Sequence, residues 1–585
     1  MRWTYKPEPD AERTALLADA LKVDPLVAGL LVQRGIHSFE AARSFFRPGL
    51  EDLHDPFLMK DMDRAADRIE RAIDGGERIL IYGDYDVDGT SAVALLIAYM
   101  REYYPNVASY IPDRYTEGYG VSFQGIDFAA DNEITLIVAL DCGVKAIEQV
   151  AYARQRGIDF IICDHHRPGP DLPQAIAVLD PKREDCPYPY TELCGCGVGF
   201  KLIQALHMRK GLLVESLLPF LDLVAVAIAA DIVPMTGENR VLSYFGMQVI
   251  NENPRPGLRA LMESVQRDSY KISDLVFQLA PRLNAAGRMQ HGQQAVRLLT
   301  EQDLTLAREQ AREIESLNEQ RRGMDREITE EALELILEQG EENRMSTVVY
   351  RENWHKGVIG IVASRLIETY YRPTLVFTKS GDRLAASARS VRGFDVYKAL
   401  EACSDCIEQF GGHTYAAGLT LEESRFEEFK SRFEQVVSSS ILPEQLQPEL
   451  QIDLRVDLSQ ITPRLVRILE QFAPFGPGNP SPVFEAGPLR DTGYARSVGE
   501  GGDHLKLSVT QEGAGPIGGI GFGLGERLSL VQGGAPFHAV FSVEQNSWKG
   551  QSRIQLKVRD LKSEVADQAS FSKYSRERET PSKTP

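Results

Sequence analysis

Acidic side chains and a histidine pair recur at the ends of short apolar runs. Asp84-Tyr85-Asp86-Val87-Asp88-Gly89-Thr90 sets three carboxylates at alternate positions directly after Arg78-Ile79-Leu80-Ile81-Tyr82. Asp141 follows the apolar run 134–140, Asp164-His165-His166 follows 158–163, and Asp231 lies in an apolar stretch over 226–234. An unpartnered carboxylate in such surroundings is costly, so these groups call for cations. Together Asp84, Asp86, Asp88, Asp141, His165 and Asp231 form a carboxylate–imidazole set large enough for two divalent ions. Hard oxygen ligands with one or two nitrogens suit Mn²⁺ or Mg²⁺ better than structural Zn²⁺. Asp164, immediately before the histidines, supplies the outer acceptor that orients imidazoles in metal sites.

Plainer readings compete with these. A calcium loop of the Asp-x-Asp-x-Asp-Gly type needs an acidic residue six positions after its glycine, and here Leu95 stands there. A solvated acidic turn would account for an isolated Asp cluster, and two adjacent histidines often sit on a surface loop by accident. The placement after buried strands weakens both alternatives. Cys194 and Cys196 with Cys403 and Cys406 could suggest a four-thiolate zinc site, but the pairs are far apart in sequence and the second lies in a helical pattern. Candidate phosphate ligands are Arg114, Arg288, Ser387 and Arg389; Arg288 and Arg389 are expected in turns rich in small residues, where backbone can approach a phosphate. The plain reading of any one arginine is a surface ion pair. Gly412 and His413, with Trp354-His355-Lys356-Gly357 as a flank, are a further candidate contact, against a core histidine as the alternative.

The elements that must carry these residues read as α/β. Short β-branched runs at 78–82, 134–140 and 158–163 alternate with helices at 61–75 and 90–104, a pattern of buried parallel strands whose carboxyl ends gather ligands. Apolar residues at three- and four-residue steps over 301–344 predict one or two long charged connector helices. A second α/β region follows, with strands at 347–350, 373–378 and 384–390 and a helix at 357–369. Beyond 451, short strands with Gly-rich turns (505–509, 539–543, 554–558) predict a small β-barrel, and the Ser/Lys/Glu-rich end predicts a disordered tail. Phe484, Tyr494 or Trp548 are candidate base-stacking aromatics of the barrel, and 471–480 is expected to be a rigid interdomain turn.

The ordered series Asp84-Tyr85-Asp86-Val87-Asp88-Gly89, Leu140-Asp141-Cys142-Gly143, Asp164-His165-His166, Ala230-Asp231-Ile232-Val233-Pro234, Pro281-Arg282-Leu283-Asn284-Ala285-Ala286-Gly287-Arg288 and Gly411-Gly412-His413-Thr414-Tyr415-Ala416-Ala417-Gly418 resembles the DHH phosphoesterase superfamily. Within it, the series resembles the RecJ family of single-strand-specific 5′→3′ DNA exonucleases. The resemblance implies an N-terminal helical region (1–55), a parallel-sheet DHH catalytic domain (56–300), connector helices (301–345), a smaller α/β DHHA1 domain (346–450), an OB-fold barrel (451–562) and a tail (563–585). It implies that Asp86 and Asp141 hold one metal and Asp88, His165 and Asp231 the other, with Asp141 bridging. Asp84 is then a ligand or an outer partner, His166 faces the scissile phosphate, and Arg114, Arg288, Ser387 and Arg389 hold a 5′-phosphate. Two such metals activate a water for direct attack, so no covalent intermediate is expected.

Length and charge bound the rest. The chain has 585 residues, enough for several domains, with 43% apolar and 25% charged side chains, which excludes disordered, collagenous and membrane-spanning classes. No long apolar run or secretory pattern opens it, and seven cysteines read as reduced thiols, so a cytoplasmic protein is expected. A net charge of −19 argues against a polyanion as partner. The acidity, however, is concentrated: residues 301–344 hold 14 acidic against 6 basic side chains and residues 401–450 hold 10 against 3. The expected substrate is single-stranded DNA, entering a locally basic, metal-bearing cleft. By resemblance, a single-strand-binding protein and recombination helicases are the expected protein partners of a monomer. The alternatives are a DHH phosphodiesterase for short oligoribonucleotides or cyclic dinucleotides, and a non-catalytic replication scaffold.

Overall fold

The computed structural model describes residues 1–548 and 551–563, so the expected tail lies outside the described residues apart from Ser563. The chain divides into two compact units, Leu50–Pro448 and Met1–Gly49 together with the chain from Glu449 onward. Among the described residues, no helix is long and apolar enough to cross a membrane.

In the larger unit, five parallel strands form one sheet: β1 (Arg78–Gly83), β2 (Val107–Tyr110), β3 (Ile134–Leu140), β4 (Asp159–Cys163) and β5 (Ala177–Leu179), in the order β2-β1-β3-β4-β5. Their near-continuous β-branched and apolar sequence fits strands covered on both faces. Register pairs Gly83 with Leu140, Leu140 with Cys163, and Cys163 with Leu179. The next residue of each strand, Asp84, Asp141, Asp164 and Asp180, therefore falls along one carboxyl edge. The ladder continues through two of them, since the Asp141 amide donates to Cys163 O and the Asp164 amide to Leu179 O.

Helices α1 (Val87–Arg101), α2 (Gly195–Arg209) and α3 (Leu221–Asp231) are apolar nearly all round and almost wholly buried. They pack as the interior of the unit, which fixes the ends that carry acidic groups. Helix α4 (Ala280–Met289) follows a π-helical turn over Leu275–Leu279. The connector is a single 35-residue helix, α5 (Leu304–Glu338), burying Ala307, Ala311, Ile314, Leu317, Ile328, Ala332 and Ile336 along one face. Beyond it β6 (Thr347–Tyr350), helix α6 (Ile359–Thr369), β7 (Thr374–Ser380), β8 (Arg383–Arg389), β9 (Gln409–His413) and β10 (Ala416–Glu422) form a second sheet, ordered β9-β10-β8-β7-β6, in which only the β6–β7 pair is parallel.

The smaller unit is a seven-stranded sheet closed by a second pairing, of Phe484–Asp491 with His504–Gln511. The N-terminal segment adds three helices, Ala11–Leu21, Pro25–Val32 and Phe39–Phe46, and also a strand, Arg2–Tyr5, paired in parallel with Glu449–Ile452. Leu17, Val27, Leu30 and Leu31 share one apolar core with Leu465, Leu469, Phe472 and the barrel strands. The segment 471–480 is thus a turn within this unit rather than between domains, held by Asn479 Nδ2 donating to the carbonyls of Phe472 and Pro474. Phe484 belongs to the core and offers no face to a base, Tyr494 is exposed, and the Trp548 side chain lies outside the described set.

Glu485 ties the N-terminal strand to the barrel. It accepts from Tyr5 Oη (2.8 Å), Arg455 Nε (2.7 Å) and His538 Nδ1 (2.9 Å). Burial alone would push its pKa up, but the bonds from His538, Tyr5 and Arg455 win and hold it at about 2. A depressed carboxylate stabilises the fold above its unfolded value, about 4.3, and that contribution disappears as pH falls toward 2. Glu485→Gln is expected to lower stability at pH 7 by about 2 kcal/mol and to narrow its gap from the parent protein between pH 5 and 2, read from urea unfolding followed by circular dichroism.

Candidate active site

Each acidic group is held by a specific backbone arrangement. Asp86 caps α1, its Oδ1 accepting from the Gly89 amide at 3.0 Å. Asp88, two residues on, accepts from the amides of Gly195 (2.6 Å) and Cys196 (2.8 Å) at the start of α2, where unpaired N–H groups favour an anion. Asp141 has φ 59, a left-handed conformation that turns the chain away at the strand end. Asp231 is the last residue of α3, with its side chain 28% exposed, so it stands at the mouth of the cluster rather than fully inside it. Asp164 binds the His166 ring at 2.8 Å and the amides of His165, His166 and Val144, which fixes both imidazoles.

His165 Nε2 is the hub. It lies 3.2 Å from Asp141 Oδ1, 3.6 Å from Asp231 Oδ2 and 3.8 Å from Asp88 Oδ2. Two sets of potential metal ligands result, Asp141 with His165 and His166, and Asp88 with His165 and Asp231. Asp84 and Asp86 lie outside both sets. Asp84 is fully buried, and neither of its oxygens has a hydrogen bond of standard geometry, although the amides of Tyr85 and Gly120 are close. Asp141 Oδ1 is similarly orphaned.

Burial and then mutual repulsion raise the carboxyl groups: Asp88 to about 6, Asp231 to about 8, Asp84 and Asp141 well above the usual range. Burial lowers His165 to about 3, leaving a neutral ring with lone pairs available. For His166, burial is outweighed by the bond and charge of Asp164, with Asp231 and Asp88 adding to them, and its pKa is raised to about 9. Orphaned buried oxygens, a neutral imidazole and four repelling carboxylates fit divalent cations, which would satisfy all three at once.

A cationic patch adjoins this acidic centre. The Arg114 guanidinium lies 4.7 Å over the ring of Tyr85, the residue between Asp84 and Asp86. Arg288 donates to Gly357 O (3.1 Å), and Arg389 donates to Ser387 Oγ (3.1 Å). Burial and the charges of Arg114, Arg389 and Arg321 push Arg288 down to about 10, while burial and Arg114 lower Arg389. Among the described residues, none of Arg114, Arg288 and Arg389 forms a salt bridge, which distinguishes them from ordinary surface arginines. Neither Arg288 nor Arg389 sits in a turn as expected. Arg288 is in the last turn of α4 and Arg389 ends β8, so regular structure aims both side chains. His413 ends β9 and is exposed rather than a core histidine; burial, His166, Lys145 and Lys182 lower it. Gly412, with φ 147, packs against Ala416 and Ala417, so the strand itself accounts for the glycine.

Several contributors carry no side-chain signal in sequence. Tyr119 Oη lies 3.0 Å from His166 Nε2, and Asp180 joins the edge only through strand register. Asp180 is raised to about 7, chiefly by burial. The Gly195 and Cys196 amides are equally silent, although the small residue is a clue: a Cβ on Gly195 would lie 2.4 Å from Asp141 Cβ and 2.6 Å from its Oδ1. Gly195→Ala is therefore expected to weaken Mn²⁺ binding by about tenfold or more, measured by calorimetry on protein shown to be folded.

Comparison with known proteins follows the same division of the chain. The DHH family N-terminal domain matches residues 78–228, the DHHA1 domain 344–439 and the RecJ OB domain 452–560. The single-stranded-DNA-specific exonuclease RecJ of Bacillus subtilis is 37% identical over 566 residues, covering 96% of this chain and 70% of that protein. The Salmonella typhimurium protein of the same name is 34% identical, covering 94% and 98%. The crystal structure of RecJ from Thermus thermophilus in complex with Mn²⁺ superposes with a TM-score of 0.82 at 27% identity, covering 96% of this chain and 79% of that one. A manganese-bound exonuclease RecJ superposes at 0.58 with 32% identity, covering 68% and 98%. By identity sustained across almost its whole length and by all three domain matches, the chain belongs to the RecJ family.

Proposed function

We propose that the chain is a metal-dependent, single-stranded-DNA-specific exonuclease that works from the 5′ end and releases 5′-mononucleotides. The observation that carries this reading is the pair of ligand sets meeting at His165 Nε2, next to a group of arginines without carboxylate partners. Catalysis is assigned to 56–300, end binding to 56–300 and 346–450 together across the connector 301–345, and strand binding to the barrel 451–562. A cytoplasmic location and partners such as a single-strand-binding protein or recombination helicases rest on family membership.

In this reading Asp88, His165 and Asp231 would hold one divalent ion, Mn²⁺ or Mg²⁺, and Asp141 would hold the other; the assignment of Asp86 to that second ion rests on family resemblance, since it lies outside both sets. When bound, the two ions supply charge neutralisation at the phosphoryl oxygens and an acidified water. The protein's part is positional. Backbone amides at the start of α2 hold Asp88, the strand ladder holds Asp141 and Asp164, and Asp164 orients the His166 ring through its Nδ1. His166 Nε2, now beside Tyr119 Oη, is assigned to the scissile phosphate. No Ser or Cys nucleophile with an adjacent base is needed. At the other side, Arg114, Arg288, Ser387 and Arg389 offer charge-assisted donors to a terminal phosphate, an arrangement that reads an end rather than an interior position. His413, near His166, is assigned to the nucleotide beside the scissile bond.

Asp141→Ala and His165→Ala are expected to abolish hydrolysis of end-labelled single strands while leaving folding and strand binding intact, checked by circular dichroism and a mobility shift. Shortening from the 3′ end, or hydrolysis of dinucleotides alone, would overturn the polarity and substrate assignment. Arg114→Ala or Arg389→Ala is expected to reduce the kcat/KM advantage of a 5′-phosphorylated end over a 5′-hydroxyl end by about tenfold, the loss of one charge-assisted hydrogen bond.

A further inference from the structure

End recognition, as proposed above, requires groups from two separate elements to keep one spacing: Arg288 on α4, and Ser387 with Arg389 on β8. Both elements are referred to α5. Helix α4 is pinned to it by Arg282 Nε, 2.5 Å from Glu315 Oε2. Strand β8 is backed by α6, where Gly360 comes so close that a Cβ would lie 2.9 Å from Ser387 Oγ and 3.0 Å from Arg389 Nη2. Helix α6 in turn is pinned to α5 by Arg365 Nη2, 2.8 Å from Asp325 Oδ2.

Asp325 is fully buried in the middle of α5. Arg321, one turn earlier and also buried, places Nη1 3.8 Å from Asp325 Oδ2 and donates from Nη2 to Asn318 Oδ1 at 3.0 Å. Among the described residues, neither its Nε nor either Asp325 oxygen has a hydrogen bond of standard geometry, so the contacts of Asp325 are ion pairs. Arg321 is also one of the cations that act on Arg288. A buried carboxylate on α5 is thus shared between Arg321 of the same helix and Arg365 of the helix behind Ser387 and Arg389. A buried charge in such a setting is costly unless its partners are held in place, so the pair specifies geometry more than it adds stability.

We propose that Asp325 is a positioning residue for end recognition: by pinning Arg365 of α6 and Arg321 of α5, it fixes the spacing between Arg288 and the Ser387–Arg389 pair without touching substrate. The proposal rests on the assignment of those three residues to the terminal phosphate. An electrostatic role alone has the opposite sign, since deleting an anion near arginines would tighten phosphate binding. A merely structural role would lower the melting temperature and leave end preference unchanged.

The test compares Asp325→Asn, Arg365→Gln, the double variant and Arg389→Ala, on single strands of one sequence bearing a 5′-phosphate or a 5′-hydroxyl. Asp325→Asn is expected to raise KM for the phosphorylated strand about tenfold, with kcat within about twofold and KM for the hydroxyl strand unchanged. Arg365→Gln should do the same, and the double variant should be no worse than either single one. Arg365 is half-exposed, so its variant tests the idea even where Asp325→Asn does not fold. An unchanged phosphate-to-hydroxyl ratio in folded Arg365→Gln, or a lower KM for the phosphorylated strand in either variant, would overturn the proposal. An unchanged ratio in Arg389→Ala as well would overturn the end-reading assignment itself, and the positioning role with it.

Discussion

The confinement of like charges governs this structure. Asp84, Asp88 and Asp141 are buried and Asp231 stands at the opening above them, all within one electrostatic neighbourhood. Two carboxylates 4 Å apart repel by about 4 kcal/mol at an effective dielectric of 20, and burial adds a desolvation cost to each. The backbone offsets part of this through the amides of Gly195 and Cys196 on Asp88 and those of Val144, His165 and His166 on Asp164. What remains must be offset by protons or by metal cations, and burial followed by the neighbouring carboxylates raises Asp231 and Asp88 accordingly. The apolar helices α1 and α3 are the counterpart of this arrangement. A site that repels itself needs ends that cannot move, and helices buried all round supply them.

The same constraint explains how a chain of net charge −19 can handle a polyanion. The acidic residues over 301–344 and 401–450 are mostly solvent-facing on α5 and on Phe426–Ser440, whereas Arg114, Arg288 and Arg389 form no salt bridge among the described residues and adjoin the acidic centre. Field strength at a cleft is set by nearby, poorly solvated charges rather than by the sum over a chain of this size. Surface acidity also disfavours unspecific adhesion of duplex, since attraction is restricted to the place where cations are concentrated.

Much of the site could be read in advance because strand ends, acidic clusters and the Asp-His-His triplet lie next to each other in sequence. Asp84, Asp86, Asp88, Asp141, Asp164, His165, His166 and Asp231 all fall in one centre, although Asp84 and Asp86 lie outside the tightest ligand sets. What escaped was non-local or backbone-borne. The strand Arg2–Tyr5 is too short for a period-two pattern, and its partner lies near residue 450. Asp180 takes its place only through the pairing of β4 with β5. Arg288 reads as part of a turn because the small residues Ala285, Ala286 and Gly287 precede it, yet the π-turn over Leu275–Leu279 precedes Pro281 and the helix runs on. A widened turn relieves the clash between a proline ring and the preceding carbonyl, which no composition rule anticipates.

Helix α5 shows why a segment can look like a linker and act as a frame. Its overall acidity suggests a solvated spacer, and most of its circumference is solvated. Along its inner face, however, Asn318, Arg321 and Asp325 follow one another at steps of three and four, in line with Ile314, Leu317 and Ile328. The ion pairs of Asp325 with Arg321 and Arg365 on this face specify helix rotation and register more sharply than Leu and Ile alone would. Elements attached to such a helix inherit its register. Helices α4 and α6 are attached to it through Glu315 and Asp325, ten residues and nearly three turns apart, and Arg288 also meets Gly357 directly, so the two halves of the cationic patch are tied both through the frame and across it.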